Sequence, residues 1–180
     1  MIKVDKSWTL FLDRDGVIND EPPEIYIRSW NEFHFFPTTF EALKKFAELF
    51  GRICVVTNQQ GVGKGILSEE TLHEIHRNMK SEIEDHGGRI DAIYYCPHLE
   101  SLNCDCRKPK TGMPLNAKKD FPEIDFSKSI MVGDSIRDIE MGKSLGMITM
   151  KIKSKEECVA DYHFDSLEGF ADELISGEKQ

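Results

Sequence analysis

The residues best suited to chemistry are three aspartates that follow short apolar stretches. Asp13 and Asp15 come directly after residues 8–12, and Asp134 follows residues 129–132. Residues two apart on an extended chain point to the same side, so the carboxylates of Asp13 and Asp15 repel each other. A divalent cation relieves this repulsion, and Mg²⁺ prefers a few carboxylates together with waters and phosphate oxygens. The pattern predicts a magnesium site that receives a phosphate group, with Asp134 as a third oxygen ligand.

The paired aspartates allow both a catalytic and a structural interpretation. One acid could attack phosphorus and form an aspartyl-phosphate, while the other protonates the leaving oxygen and then activates water. Asp and Gly are also common turn residues, so residues 13–16 (DRDG) taken alone are equally well a simple turn. Thr57 and Asn58 end another predicted strand and offer hydroxyl and amide donors for a phosphoryl group, which favours the catalytic interpretation.

A second cluster joins three cysteines and one histidine in a short stretch: Cys96, His98, Cys104 and Cys106. Three thiolates and an imidazole form a complete tetrahedral Zn²⁺ ligand set, and four protein ligands leave no open position. We therefore predict a structural zinc site, with three unrelated buried thiols as the alternative. A closed zinc loop would brace Arg107 and Lys108, which follow it directly, and would aim both cations at the substrate.

Short apolar runs alternate with stretches of helical spacing along the chain. The predicted strands are residues 8–12, 52–56, 90–95, 129–132 and 147–152, and the predicted helices are residues 37–50, 68–86, 113–120, 136–145 and 167–175. Such alternation indicates βαβ crossovers and a parallel sheet, whose ligands bind at the carboxyl ends of the strands. The sequence therefore predicts one α/β domain over residues 1–180, with the polar residues named above gathered at one edge.

Composition and charge exclude some classes of binding partner. The chain has 23 Lys and Arg against 32 Asp and Glu, a net charge of −9. Nucleic acid is gripped mainly through its phosphates by cationic side chains, so we expect no nucleic-acid partner. The apolar runs are far shorter than the roughly 20 residues that cross a bilayer, and the first residues lack the apolar core of a secretory signal. We expect a cytoplasmic protein with no membrane partner, whose five cysteines stay reduced.

Four ordered motifs resemble those of the haloacid dehalogenase (HAD) phosphohydrolase superfamily. They are residues 11–19 (FLDRDGVIN), 55–58 (VVTN), 107–109 (RKP) and 132–138 (VGDSIRD). The resemblance covers residues 8–150 and implies a Rossmann-like three-layer sandwich with a mainly parallel sheet. It implies Asp13 as the nucleophile and Asp15 as the general acid and base.

The same resemblance implies how magnesium and substrate are held. The ligands of Mg²⁺ would be the side chain of Asp13, the backbone carbonyl of Asp15, and Asp134. Thr57 would bind the phosphoryl group, and Lys108 would neutralise the charge that develops on it. Asp138 could support the metal site, and an acid on the helix surface is an equal alternative.

The cysteine loop resembles the zinc-bearing branch of this superfamily, which contains heptose bisphosphate phosphatases and histidinol phosphatases. Residues 57–61 (TNQQG) resemble the heptose enzymes, whereas residues 21–23 (EPP) and the short gap from His98 to Cys104 resemble the histidinol enzymes. The branch largely lacks a bulky cap domain, and no insertion in this chain is long enough for one.

We therefore expect a monomeric, magnesium-dependent phosphomonoesterase that acts on a small phosphorylated sugar or polyol. Heptose 1,7-bisphosphate is the favoured substrate and histidinol phosphate the alternative, with Asn58, Arg107 and Lys108 as substrate-binding residues. Two other possibilities are a non-catalytic zinc-binding module and a nucleic-acid end phosphatase, which the net charge of −9 disfavours.

Several further residues receive a structural interpretation. His73 and His76 lie three apart on a predicted helix and could share a metal, but such a pair is more often a solvated face. Residues 61–65 are expected to form a flexible loop that lines the pocket. Three lysines at alternate positions, Lys151, Lys153 and Lys155, are expected at the solvated end of the last predicted strand. Cys158 receives no assignment.

Overall fold

The computed structural model describes residues 2–20, 26–152 and 159–176. Its strands are β1 Thr9–Leu12, β2 Arg52–Asn58, β3 Ala92–Cys96, β4 Ser129–Gly133, β5 Ile148–Ile152 and β6 Tyr162–Phe164. Its helices are α1 Thr39–Leu49, α2 Gln60–Gly63, α3 Glu69–Asp85, α4 Gly112–Asp120, α5 Ile136–Ser144 and α6 Leu167–Ser176. No helix in the described part of the chain is long and apolar enough to span a membrane.

The six strands form one sheet in the order β3-β2-β1-β4-β5-β6, and every strand pair is parallel. The predicted α/β class and parallel sheet are therefore confirmed. The first strand lies between β2 and β4, in register from Thr9 beside Arg52 and Ser129. The carboxyl ends of these three central strands consequently meet at one place, where β1 is followed by Asp13, β2 ends at Asn58 and β4 is followed by Asp134.

Apolar clusters cover both faces of the sheet. Leu10 and Leu12 belong to the larger cluster, whereas Phe11 belongs to the second one, because successive side chains of a strand point to opposite faces. The larger cluster includes Phe46 of α1 and Phe170 of α6, both fully buried. This packing confirms the three-layer sandwich, and no large cap domain interrupts the described residues.

The ends of the helices follow local hydrogen bonding. The side chain of Ser68 accepts a hydrogen bond from the backbone N–H of Thr71 at 3.0 Å, which caps α3. Thr39 begins α1 but does not cap it. Its hydroxyl donates to the carbonyl of Ile18 at 2.8 Å, and this bond ties the helix to the segment that follows β1.

Three local features differ from the sequence predictions. The short strand β6 was not predicted, because three mostly exposed residues are too few to show a periodic pattern. Residues 60–63, mostly within the predicted flexible loop, form the helical turn α2. Lys151 is only 3% exposed, since β6 pairs with β5 and makes it an internal strand, so the solvated position predicted for Lys151 is wrong. Residues 21–23 and Cys158, as well as the two lysines after Lys151, lie outside the described residues.

Candidate active site

The ammonium group of Lys108 lies at the centre of the strand-end cluster. Its Nζ is 2.7 Å from Oδ2 of Asp13 and 2.6 Å from Oδ1 of Asp138, and it donates to the carbonyl of Val56 at 2.9 Å. Lys108 is 2% exposed and Asp138 is fully buried. An ammonium group has three protons, so these three contacts use its full donor capacity and fix its position.

Burial and charge shift the protonation equilibria of this cluster. Burial and the neighbouring Asp138 raise the pKa of Asp13 well above its usual value, and the Lys108 ammonium opposes this effect. Burial lowers the pKa of Lys108, but the two carboxylates outweigh it and raise that pKa overall. Lys108 carries one positive charge and cannot neutralise both carboxylates that it contacts, which favours an additional cation at this place.

The donor set suits a hard divalent cation. Carboxylate oxygens of Asp13, Asp134 and Asp138 all lie within 4.8 Å of one another. Gly16 (φ +79°) and Gly133 leave room for this convergence, because a methyl group on Gly16 would overlap the carboxylate of Asp134, and one on Gly133 would overlap the side chain of Asp138. Oxygen ligands with waters in the remaining positions are what Mg²⁺ requires, so the residues present fit this ion.

Asp138 has a position that the sequence left open. Its Oδ2 accepts hydrogen bonds from the backbone N–H of Ser135 at 3.1 Å and from the hydroxyl of Ser135 at 2.6 Å. These contacts close the start of α5, while Oδ1 faces Lys108. The alternative of an acid on the helix surface is therefore wrong, and Asp138 supports the cluster from its far side.

The carboxylate of Asp15 is held by several donors. Arg14 contacts both of its oxygens, with Nη2 2.9 Å from Oδ1 and 3.0 Å from Oδ2. Asn19 donates to Oδ1 at 2.9 Å, and Gln59 donates to Oδ2 at 2.8 Å. Burial alone would raise the pKa of Asp15, but the charge of Arg14 and these hydrogen bonds outweigh it and lower the pKa below its usual value. Sequence analysis did not indicate the contacts that Arg14 and Gln59 make with Asp15, because amide and guanidinium side chains are common in loops.

Two residues at the end of β2 make different contacts. Thr57 is 1% exposed, and its hydroxyl accepts a hydrogen bond from Nε2 of Gln59 at 2.9 Å. Asn58 uses both ends of its amide on the backbone of Lys108, accepting from its N–H at 3.0 Å and donating to its carbonyl at 3.3 Å. Asn58 therefore fixes Lys108, and its predicted contact with substrate stays a prediction.

A cleft of about 440 Å³ opens above these strand ends. Its lining includes the predicted residues Asp13, Asp15, Thr57, Asn58, Arg107, Lys108 and Asp134. Lys64 lines it as well, which agrees with the lining position predicted for residues 61–65. Arg137 also lines it and was not singled out from the sequence. The side chain of Glu100 lies between two of the cations, with its carboxylate oxygens 3.8 Å from Arg107 and 3.6 Å from Arg137.

The four predicted zinc ligands meet beside this cleft. Sγ of Cys96 is 3.4 Å from Sγ of Cys104, Sγ of Cys104 is 3.3 Å from Sγ of Cys106, and Nδ1 of His98 is 3.2 Å from Sγ of Cys106. A tetrahedral zinc with Zn–S bonds of about 2.3 Å places its sulfurs about 3.8 Å apart. Burial raises the pKa of the Cys104 thiol, but hydrogen bonds from Cys106 and Cys96 outweigh it and lower the pKa to about 6. The donor set therefore suits Zn²⁺, and the two sulfur–sulfur distances are about 0.4 and 0.5 Å shorter than that separation.

Comparison with solved structures shows the superfamily to which this fold belongs. A solved structure of D,D-heptose 1,7-bisphosphate phosphatase from B. bronchiseptica, complexed with magnesium and phosphate, superposes with a TM-score of 0.86 at 26% identity. The alignment covers 94% of this chain and 99% of that one. The sandwich is that of the HAD superfamily, and the chain is a HAD-type hydrolase of phosphate monoesters.

The family within that class follows from sequence comparison. The model of the family described as polynucleotide kinase 3 phosphatase matches residues 11–170, and the chain belongs to this family. The D-glycero-alpha-D-manno-heptose-1,7-bisphosphate 7-phosphatase of Mycobacterium bovis is 40% identical, over 92% of this chain and 90% of its own length. The D-glycero-beta-D-manno-heptose-1,7-bisphosphate 7-phosphatase of Vibrio cholerae is 39% identical, over 78% of this chain and 77% of its own length.

The buried position of Lys108 leads to a prediction about stability. Lys108→Met removes the cation between Asp13 and Asp138 and leaves two buried carboxylates facing each other. We expect the free energy of unfolding without divalent cations to fall by about 3–5 kcal/mol, measured by urea denaturation. Lys110→Met is the matched control, because Lys110 pairs at 3.6 Å with the fully exposed Asp105, and we expect a change within about 0.5 kcal/mol. Equal stabilities of the two variants would contradict the importance of the buried ion pair.

Proposed function

We propose that the protein removes the 7-phosphate of D-glycero-D-manno-heptose 1,7-bisphosphate. The observation that carries this proposal is the set of cations in the cleft beyond the nucleophile, which suits a second phosphate. Arg107 contributes most, because its Nε and Nη1 are buried and have no hydrogen-bond partner among the described residues. Buried guanidinium nitrogens without partners are costly, and a phosphate oxygen would satisfy them.

The same charges disfavour histidinol phosphate. That substrate carries an ammonium group on the second carbon from its phosphate oxygen and an imidazole, rather than a second phosphate, at its far end. In this cleft both groups would approach the cations of Lys64, Arg107 and Arg137. Glu100 alone faces two of these cations, so it offsets only part of their charge. Discrimination through unfavourable charge contacts is a common source of specificity. The names of the relatives from Mycobacterium bovis and Vibrio cholerae agree with a bisphosphate substrate but differ in its anomer.

The proposed reaction uses residues whose positions are described above. Bound Mg²⁺, held by the Asp13 side chain, the Asp15 backbone carbonyl and Asp134, would neutralise phosphate charge and keep the Asp13 carboxylate ionised. An oxygen of Asp13 attacks phosphorus, and the bond from phosphorus to the sugar oxygen breaks. Arg14 and the amides around it keep Asp15 charged before substrate binds, so Asp15 takes up a proton from solvent when the negatively charged phosphate arrives beside it. It gives this proton to the departing sugar oxygen, then takes a proton from the water that hydrolyses the aspartyl-phosphate. Thr57 and Lys108 stabilise the phosphoryl group during both steps.

Replacing the nucleophile tests this chemistry directly. Asp13→Asn keeps the size of the side chain and removes the attacking oxygen, so we expect turnover of every phosphate ester to fall by at least about 10³-fold with magnesium present. Circular dichroism and a thermal melt should show a folded protein. An Asp13→Asn variant that is folded and still turns over substrate would sink the mechanism.

Substrate choice is tested by kinetics on a panel of heptose 1,7-bisphosphate, histidinol phosphate and a 3′-phosphorylated oligonucleotide. We expect the highest kcat/KM for the bisphosphate. Arg137→Met should raise KM for the bisphosphate about tenfold and leave kcat nearly unchanged, because it removes one charge-assisted contact that the bound substrate makes. Arg77→Met, at an exposed position on α3, is the control and should change neither constant. A preference for the amino alcohol ester would overturn the proposed substrate.

The oligonucleotide in that panel represents a second candidate function. The description of the family model, polynucleotide kinase 3 phosphatase, favours it. The net charge of −9 opposes it, because nucleic acid is bound mainly through cationic contacts with its phosphates. A higher kcat/KM for the 3′-phosphate end than for the sugar phosphate would replace the first proposal with this one.

We further propose that the cysteine loop binds a structural Zn²⁺ through Cys96, His98, Cys104 and Cys106. All four positions of the tetrahedron would be filled by protein, so the ion takes no part in the reaction. Its effect would be to hold the chain that leads directly into Arg107 and Lys108. A site made of thiolates needs a reducing compartment, which supports our proposal that the protein works in the cytoplasm. We also propose that it acts as a monomer.

Zinc binding has its own test. We expect about one zinc per chain by elemental analysis after purification without chelators. Cys104→Ser should lower that ratio below about half, whereas Cys54→Ser should leave it unchanged. Cys54 is buried in β2 beside Ala92, four residues before the position that pairs with Cys96, and is not one of the four converging ligands. Zinc contents below half in the unmodified protein would count against a closed four-ligand site.

A further inference from the structure

We propose that His76 is a positioning residue that sets the orientation of Asp15 by way of Arg14. The inference rests on the role proposed above for Asp15 as the general acid. It assigns a function to a histidine that the sequence pattern placed on a solvated face, far from the four motifs.

His76 lies on the buried face of α3 and is 6% exposed, so the solvated position predicted for it is wrong. Its Nε2 is 3.1 Å from Nη1 of Arg14. A guanidinium group only donates hydrogen bonds, so Nε2 accepts and the ring proton is on Nδ1. Burial first, and then the charge of Arg14, lower the pKa of His76 to about 3, which keeps the ring neutral and able to accept.

Arg14 connects this ring to the carboxylate. The side chain of Arg14 is 1% exposed, and its Nε and Nη2 both contact Asp15, at 3.2 Å and 2.9 Å from Oδ1. The guanidinium is a rigid plane. His76 binds Nη1 of this plane, and Asp15 binds Nε and Nη2 on the other side. The imidazole ring therefore fixes the orientation in which Arg14 binds the carboxylate of Asp15.

The chemistry of this position differs from that of its neighbours on the helix. Leu72, Ile75 and Met79 fill the same buried face of α3 with apolar side chains. An apolar residue at position 76 would also fill space, but it would leave a buried N–H of Arg14 without the acceptor that it has now. Arg14 would then be free to tilt, and with it the carboxylate that must lie within hydrogen-bond reach of the leaving oxygen.

Esters with different leaving groups distinguish a residue that positions the general acid from one that only packs in the core. Departure of a sugar alkoxide needs a proton from Asp15, whereas departure of p-nitrophenolate does not. The ratio kcat/KM reports on the steps up to departure of the leaving group. A misplaced acid should therefore lower kcat/KM for an alkyl phosphate and spare p-nitrophenyl phosphate, whereas a loosened core should lower both alike.

The experiment compares His76→Leu with His76→Gln on both esters, with magnesium present. We expect His76→Leu to lose at least about tenfold in kcat/KM on heptose 1,7-bisphosphate, or on the best alkyl ester of the panel, and less than about twofold on p-nitrophenyl phosphate. In His76→Gln the side-chain oxygen can accept from Arg14 at a similar reach, so we expect values within about threefold of the unmodified protein. His73→Leu is the matched control, since His73 is exposed and contacts Tyr95 instead.

Each other outcome has a definite meaning. Equal losses of His76→Leu on the two esters, no loss on either, or a failure of His76→Gln to recover the alkyl ester would overturn the inference. If His76→Leu does not fold, His76→Asn replaces it, because its shorter side chain cannot reach Arg14 and should show the same selective loss. An unmodified protein that turns over neither ester would refute the proposed function itself, which is a separate result.

Discussion

The ion pair network around Lys108 is the constraint on which the rest of the site depends. One ammonium group joins Asp13 after β1, Asp138 in α5 and the carbonyl of Val56 in β2. It therefore connects the ends of three adjacent strands through a single charge. The arrangement is buried, so its attraction is strong, and its cost in desolvation is high. Such a network stabilises the fold only when all of its members are in place.

The order of the strands explains why this network can form at all. β1 lies between β2 and β4, so residues that are far apart in the chain leave the sheet at neighbouring positions. The loop with the cysteines follows β3, the edge strand, and brings Lys108 back over β2, where Asn58 holds its backbone. The described residues thus bring together the proposed nucleophile, a cation and a candidate metal-binding cluster, with no large cap domain among them.

Ordered motifs made much of this predictable from the sequence. The apolar runs before Asp13 and Asp134 gave the central strands, and the spacing of the cysteines gave the second cluster, because both patterns are local in the chain. The parts played by His76 and Lys151 were not predictable. A histidine on a helix produces the same sequence pattern whether it faces water or a buried arginine. Lys151 lies in a strand that becomes internal only through its pairing with the unpredicted strand β6.

The amide of Asn58 illustrates a second limit of prediction from the sequence. Its place after a strand suggested a contact with substrate, but it bonds at both ends to the backbone of Lys108 across 50 residues of chain. Pairing between distant segments is decided by tertiary packing, and no periodicity records it. The identity of a strand-end residue therefore predicts that it belongs to the site more readily than it predicts what it contacts there.

The cysteine loop has an evolutionary consequence. Its ends are fixed by β3 and by the contacts of Lys108, whereas the segment between carries Glu100 and Arg107 over the cleft. Changes in that segment can alter which molecule fits without disturbing the aspartates below. Descendants of one ancestral enzyme could in this way acquire new substrates through changes in this one loop segment, while the residues that carry out hydrolysis are inherited unchanged.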